Sequence, residues 1–175
     1  MTIPIEHPPI NVDGVLYGLA HLDAFCASIP GKGMNAGTDL IVEVVFSNHV
    51  YTERTKRGVR HHAVDHHGTR RTFDYDRYQM SKHLGNALRA KIGDNALTHV
   101  SKSYGGTDNL VFVEMDDGRT WAIVYCLTPR ADSLSVRMEV LSAHPKLIES
   151  KAVSRRNLSY FARKCLYEKR RIPNA

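Results

Sequence analysis

Four histidines and an aspartate fall within seven residues of this chain, His61, His62, Asp65, His66 and His67 in RHHAVDHH. The first chemistry they suggest is metal ligation. On a helix, His62 and His66 would stand at i and i+4, as would His61 and Asp65, which is plausible zinc spacing. The surrounding residues argue against a helix. Between Arg54 and Arg71 only Val59, Ala63 and Val64 are apolar, and Gly58 and Gly68 sit near the ends, so no buried stripe would hold the ligand pairs rigid. Adjacent histidines also point opposite ways in an extended chain, which breaks the HxHxDH spacing of metallo-hydrolases. The expectation is a mobile, pH-sensitive basic loop over residues 53–72, with no cofactor and only adventitious nickel or zinc binding.

A second histidine is better placed for chemistry. In LIVEVVFSNHVYT the even positions Leu40, Val42, Val44, Phe46 and Val50 make an apolar strand face, leaving Ser47, His49 and Tyr51 in a row on the other. Metal-free cleavage of RNA needs a base that titrates near neutrality, an acid and a fixed cation, and histidine suits both proton roles. His49 is the candidate base. Lys102 or Arg137 would meet the phosphate, and Ser142 or His144, at the end of VRMEVLSAH, would supply the donor, provided the strand ends meet.

Charge points to a polyanionic partner. The net charge is +6, but Lys146 to Ala175 alone carries +7 and residues 54–71 carry +5, so the remaining body is acidic. Fixed cations gathered in two places gain by displacing counterions from phosphates. Arg54, Lys56, Arg57, Arg60, Arg70 and Arg71, together with Arg155, Arg156 and Arg163, are the candidate nucleic-acid contacts. In the first cluster they interleave with Tyr51, Phe73, Tyr75 and Tyr78, a mixture of phosphate partners and stacking surfaces. Three functions follow: a nucleic-acid-directed protein, of which a metal-independent ribonuclease acting on RNA is the enzymatic form; a non-catalytic adaptor or inhibitor with an acidic protein or nucleoprotein partner; and a metal-dependent hydrolase using the histidine cluster.

The elements that must position these residues form an α+β fold with a predominantly antiparallel sheet. The 175 residues are 42% hydrophobic and carry no repeat or low-complexity divider, so residues 1–175 read as a single domain. Residues 1–14 read as an extended arm. Residues 15–29 and the run from Leu40 read as an N-terminal hairpin across the turn-rich GKGMNAGTD. A central helix is predicted from Arg77 to Ile92, N-capped by Asp76 and stopped by Gly93. LTHVSKSY, NLVFVEM, TWAIVYCL and SLSVRMEVLSA, joined by short turns, read as a β-meander. From Ser154 onward the pattern is a basic C-terminal helix with Leu158, Phe161, Cys165 and Leu166 on one face. Cys26, Cys126 and Cys165 are too few and too scattered for a disulfide framework or a cysteine-rich zinc site. Neither a membrane span nor a signal peptide is visible, so the expected compartment is the cytoplasm.

The segments FSNHVYTE, RRTFDYDRYQMSKHL, WAIVYCL, RMEVLSAHPK and LSYFARKCLYEKRRIP, in this order, resemble a family of small uncharacterised bacterial proteins often found near integrated mobile elements. Its pattern runs FSxHxxT, then RYxLSxxLP, then VxSAY. This chain has Gly85 where the pattern has proline and His144 where it has tyrosine. At the level of fold, a helix followed by a meander ending in a Ser-Ala strand is similar to the barnase, EndoU, colicin and RelE-like ribonucleases. That likeness implies metal-free cleavage by side chains projecting from the sheet.

Overall fold

The computed structural model describes residues 6–104, 107–112, 120–131, 134–145 and 154–173, without the side chains of 35, 102–104, 107–109 and 154. In chain order the strands and helices are β1 (Ile10–Val12), β2 (Val15–Tyr17), β3 (Phe25–Ile29), β4 (Leu40–Phe46), β5 (Thr52–Arg54), β6 (Ala63–Val64), β7 (Arg70–Phe73) and α1 (Tyr75–Gly93), then β8 (Leu97–Tyr104), β9 (Thr107–Phe112), β10 (Ala122–Pro129), β11 (Ser135–His144), β12 (Ser154–Asn157) and α2 (Leu158–Glu168). The fold is α+β with a sheet that is mostly antiparallel and a C-terminal helix, as the hydrophobic pattern implies.

The main sheet has the order β12-β8-β9-β10-β11-β4-β3. The hairpin β3–β4 and the meander β8–β9–β10–β11 follow sequence order. The join between them does not. β11 lies parallel to β4, with Ser135 opposite Ile41 and Val140 opposite Phe46. Parallel pairing brings the C-terminal ends of two distant strands side by side, and that is where the candidate site forms.

Each face of the sheet is covered by one helix. Val42, Val44 and Phe46 share a face with their register partners Val136, Met138 and Val140, and all six are buried. α1 lies against this face with Leu84, Leu88 and Ile92 wholly buried; each such aliphatic side chain contributes about 1.5–3 kcal/mol by leaving water. α2 covers the opposite face and inserts Leu158, Phe161, Ala162 and Cys165. Glu43 and Val45 of β4, on the strand's second face, are buried too.

Several boundaries differ from the expectations. The arm to residue 14 contains β1, which pairs with β2 around an Asp13–Gly14 turn in which both residues have positive φ. The stretch from Val15 to Ile29 is two strands separated by a 3₁₀ turn at Ala20–Leu22. α1 is capped by Asp74, not Asp76: the Asp74 carboxylate accepts the Arg77 amide at 3.0 Å. Its stop is Asn95, in the left-handed region at φ 51°, with the Asn95 and Ala96 amides closing back on Ile92 and Lys91. Gly93 is merely its last residue. Arg155 and Arg156 are in β12, not in the terminal helix, which begins at Leu158.

The largest difference concerns residues 53–72. The expected mobile loop is a three-stranded sheet of order β5-β7-β6. Arg71 ties it to the end of the 3₁₀ turn, beside the ladders β5–β7 and β6–β7. Its guanidinium is buried and donates from Nε to Thr52 Oγ1 at 3.2 Å and from Nη2 to the Thr52 carbonyl at 2.9 Å. A few long-range bonds thus replace the apolar stripe that the segment lacks. Among the described residues no helix is long and apolar enough to cross a membrane.

Candidate functional site

β4 ends at Phe46, and Asn48–Val50 form a 3₁₀ turn, so Ser47, His49 and Tyr51 do not make the expected row on a strand face. Ser47 starts the turn. Its amide donates to the Val140 carbonyl at 3.0 Å, its hydroxyl donates to the Leu141 carbonyl at 2.8 Å, and the same oxygen accepts the His49 amide at 3.2 Å. One serine thus stitches the end of β4 to the end of β11 and aims the backbone that carries His49. The two strand ends do meet.

The imidazole of His49 finds a partner that the strand pattern concealed. Its Nε2–H donates to Asp65 Oδ2 at 2.9 Å. Asp65 sits at the start of a tight turn, where its Oδ1 accepts the amides of His67 at 3.0 Å and Thr69 at 2.9 Å while Gly68 takes a positive φ. The Asp65 side chain is 4% exposed and that of His49 is 28% exposed, so the carboxylate is a buried anchor and the ring is reachable from solvent.

The protonation states follow from this geometry. Burial pushes the Asp65 carboxyl up, but the His49 hydrogen bond and the two amides outweigh it and hold the group well below the usual carboxylate range. For His49, burial lowers the pKa and the Arg71 cation lowers it further, against the raising effect of Asp65, so the ring is neutral at neutral pH. An ionised Asp65 on Nε2–H leaves the lone pair on Nδ1. That is a histidine fixed in one tautomer by a carboxylate, with its other nitrogen available to accept a proton.

The backbone on either side is held by cations and hydroxyls. Arg77 Nη1 donates to the carbonyls of His49 at 3.2 Å and Thr52 at 3.1 Å. The Thr52 hydroxyl donates to the Asn48 carbonyl at 2.6 Å, and Asn48 Nδ2 donates to the Val64 carbonyl at 3.1 Å. Arg71 and Arg77 therefore serve the architecture of the site.

The remaining candidates separate into groups. Arg54, Lys56, Arg57, Arg60 and Arg70 are exposed on the small sheet that carries Asp65, whereas Arg71 is buried and offers phosphate nothing. Lys56 lies 3.7 Å from Glu53, and Arg60 lies 3.2 Å from Asp13. Ser142 and His144 are half-buried in the last three residues of β11, opposite Val124 and Ala122, on the strand end that Ser47 grips. Arg137 is not brought to the site. It pairs with Glu43, which is four residues before Ser47 and so about 13 Å back along the strand. Its Nε donates to Glu43 Oε2 at 2.7 Å, and Arg130 Nη1 donates to the same oxygen. Burial opposes ionisation of Glu43, but the two guanidiniums prevail and keep its pKa low. The side chain of Lys102 lies outside the described residues.

The second basic cluster lies elsewhere. Arg155 and Arg156 are exposed on β12, the far edge of the main sheet, with the Arg156 guanidinium 6.0 Å from the Tyr160 ring; Arg163 is half-buried on α2. Five strand spacings separate β12 from β4, roughly 24 Å. The two cationic regions are separate surfaces.

The histidine cluster disperses. Asp65 is committed to His49, the His66 and His67 rings lie against each other at 3.9 Å, and His62 Nδ1 accepts the Phe73 amide at 3.2 Å. Among the described residues no three His, Cys, Asp or Glu side chains converge as a metal site would require. Arg77 and the partnership of Asp65 with His49 were hidden from the pattern of hydrophobic residues. One signal could have found Asp65, because Asp-His-His-Gly is a turn sequence with Asp at its first position and Gly at its fourth.

The model of the YjaZ family matches residues 9–166, so the chain belongs to that family of small uncharacterised bacterial proteins. No curated protein and no solved structure matches the chain. The matched span contains His49, Asp65, the basic sheet and the end of β11.

Proposed function

We propose that this YjaZ-family protein is directed at nucleic acid and cleaves RNA without a metal, with His49 as the general base. The observation that carries the reading is the His49–Asp65 pair: a partly exposed imidazole, fixed in one tautomer by a buried carboxylate, beside exposed cations and at the meeting point of two strand ends. His49 Nδ1 accepts the proton of a ribose 2′-hydroxyl, and the freed oxygen attacks the adjacent phosphorus. The bond to the 5′-oxygen breaks, leaving a 2′,3′-cyclic phosphate, and the departing oxygen takes a proton from a donor at the end of β11, for which Ser142 and His144 are the candidates. Arg54, Arg57, Arg60 and Arg70 hold the flanking phosphates, and Asp65 acts as a positioning residue. Action in the cytoplasm as a toxin of the mobile-element kind, and a fold-level likeness to the barnase, EndoU, colicin and RelE-like ribonucleases, belong to the same reading.

The test is cleavage of a labelled RNA in excess EDTA. His49→Ala should lower the rate about 10²- to 10⁴-fold, the usual contribution of a general base. Asp65→Asn should shift the pH profile, because the amide can no longer enforce the reactive tautomer. RNA left intact by the native protein under every ionic condition would sink the proposal.

A second reading is binding without cleavage, and the separation of the two cationic surfaces favours it. β12 lies five strand spacings, roughly 24 Å, from β4, and a ligand reaching both basic regions suits a long polyanion or a nucleoprotein partner better than a single scissile bond. Retention of RNA with no turnover, and with equal losses from substitutions on either surface, would select it.

A further inference from the structure

Much of the exposed apolar surface gathers beside the site. Val15 and Leu16 of the β1–β2 hairpin, Val59 and Val64 of the small sheet and Tyr75 at the start of α1 are all about half exposed or more. Tyr75, at 54% exposure, is the one aromatic ring among them, and it is set in a framework of other rings. Its centroid lies 6.3 Å from Tyr17 and 6.4 Å from Tyr78, and Tyr17 in turn lies 4.6 Å from Phe73. Tyr51 and Tyr78 are buried, so of the aromatic residues interleaved with the basic cluster Tyr75 has by far the most open face. The same helical turn grips the candidate base, because Arg77, two residues on, binds the His49 carbonyl.

We infer that Tyr75 is a stacking platform for an unpaired base, so that the nucleic acid this site takes is single-stranded. The inference rests on the nucleic-acid reading above. Charge supports it. Arg60, joined to Asp13 at the hairpin tip, and Arg70 flank the patch from the small sheet, and Lys82 sits 4.6 Å from the Tyr78 ring. Asp74 is balanced by Arg77 at 3.4 Å, and Asp76 is exposed beside the ring on the first turn of α1. The backbone of a strand then runs along the arginines and a base is left to cover Tyr75. A duplex, with its bases already stacked, offers this ring nothing.

The experiment measures anisotropy with the 175-residue chain carrying His49→Ala, in EDTA, with a labelled RNA of about ten nucleotides as a single strand and as a duplex. Adding Tyr75→Ala should weaken single-strand binding roughly fivefold or more and leave duplex binding unchanged. Tyr75→Phe should retain affinity. Tyr167→Ala, at the 90% exposed tyrosine of α2, should change nothing. Urea midpoints of each variant check folding. Unchanged single-strand affinity in Tyr75→Ala, equal losses on single strand and duplex, or no binding of either would overturn the platform. Tyr75-dependent binding by a native chain that never cleaves RNA would uphold the platform and remove the ribonuclease reading alone.

Discussion

Thr52 is the joint on which the geometry of His49 depends, and Thr52→Val tests it with almost no change of shape. Its side chain is wholly buried. The hydroxyl donates to the Asn48 carbonyl at 2.6 Å and accepts from Arg71 Nε at 3.2 Å, tying the 3₁₀ turn to the small sheet through one oxygen. Valine removes both bonds. A neutral hydrogen bond contributes about 1 kcal/mol and one to a charged group about 1.5–3 kcal/mol. Two contacts survive: Arg71 Nη2 still reaches the Thr52 carbonyl, and the Asn48 carbonyl still accepts the Tyr51 amide at 3.3 Å. The expected loss is therefore about 2–3 kcal/mol. For a chain of this length that lowers Tm by about 4–12 °C. Urea and thermal melts measure it, and the urea midpoint should fall with no change in slope. Thr52→Ser keeps the oxygen and should lose less. A Thr52→Val protein within about 0.5 kcal/mol of the parent would refute the idea that this network sets the position of the turn.

Two further outcomes follow from the buried titratable groups. His7, His21, His49 and His99 all have pKa values lowered from 6.5, chiefly by burial. The unfolded chain therefore binds more protons around that pH, and stability falls as pH drops below about 6.5. A second fall comes below about pH 4, where the depressed carboxyls of Asp65 and Glu43 lose their ionic partnerships; a urea midpoint that stays flat from pH 7.5 to 5 would contradict the first of these. A thiol reagent should titrate Cys26 alone in the native protein and all three cysteines in denaturant. Cys26 is exposed, whereas Cys126 and Cys165 are buried with raised pKa values, that of Cys165 pushed up to about 11.

The readable part of this protein was local. Alternation from Leu40 to Phe46 and the stripe of α1 with Leu84 and Leu88 each depend on a repeat of two or 3.6 residues. A linear sequence displays such repeats directly. So do the charge totals, which place two basic segments without saying where they fold. His49 was picked out by its residue type and its position at the end of an apolar run. The strand face invoked for it is absent, because the 3₁₀ turn interrupts the alternation after Phe46.

The tertiary structure decided everything that joins distant residues. Nothing local signals that β11 lies parallel to β4, yet that pairing sets Ser47 against Val140 and Leu141. Residues 53–72 look like a loop by composition, yet they pair as strands and the Arg71 side chain finds the Thr52 carbonyl and hydroxyl. The same folding turns Asp65 from an apparent metal ligand into the partner of His49, and it sequesters Arg137 on Glu43. Periodicity records which face of an element is buried. It does not record which buried polar group finds which partner, since a hydrogen bond between residues sixteen or ninety-four positions apart leaves no trace in the residues between.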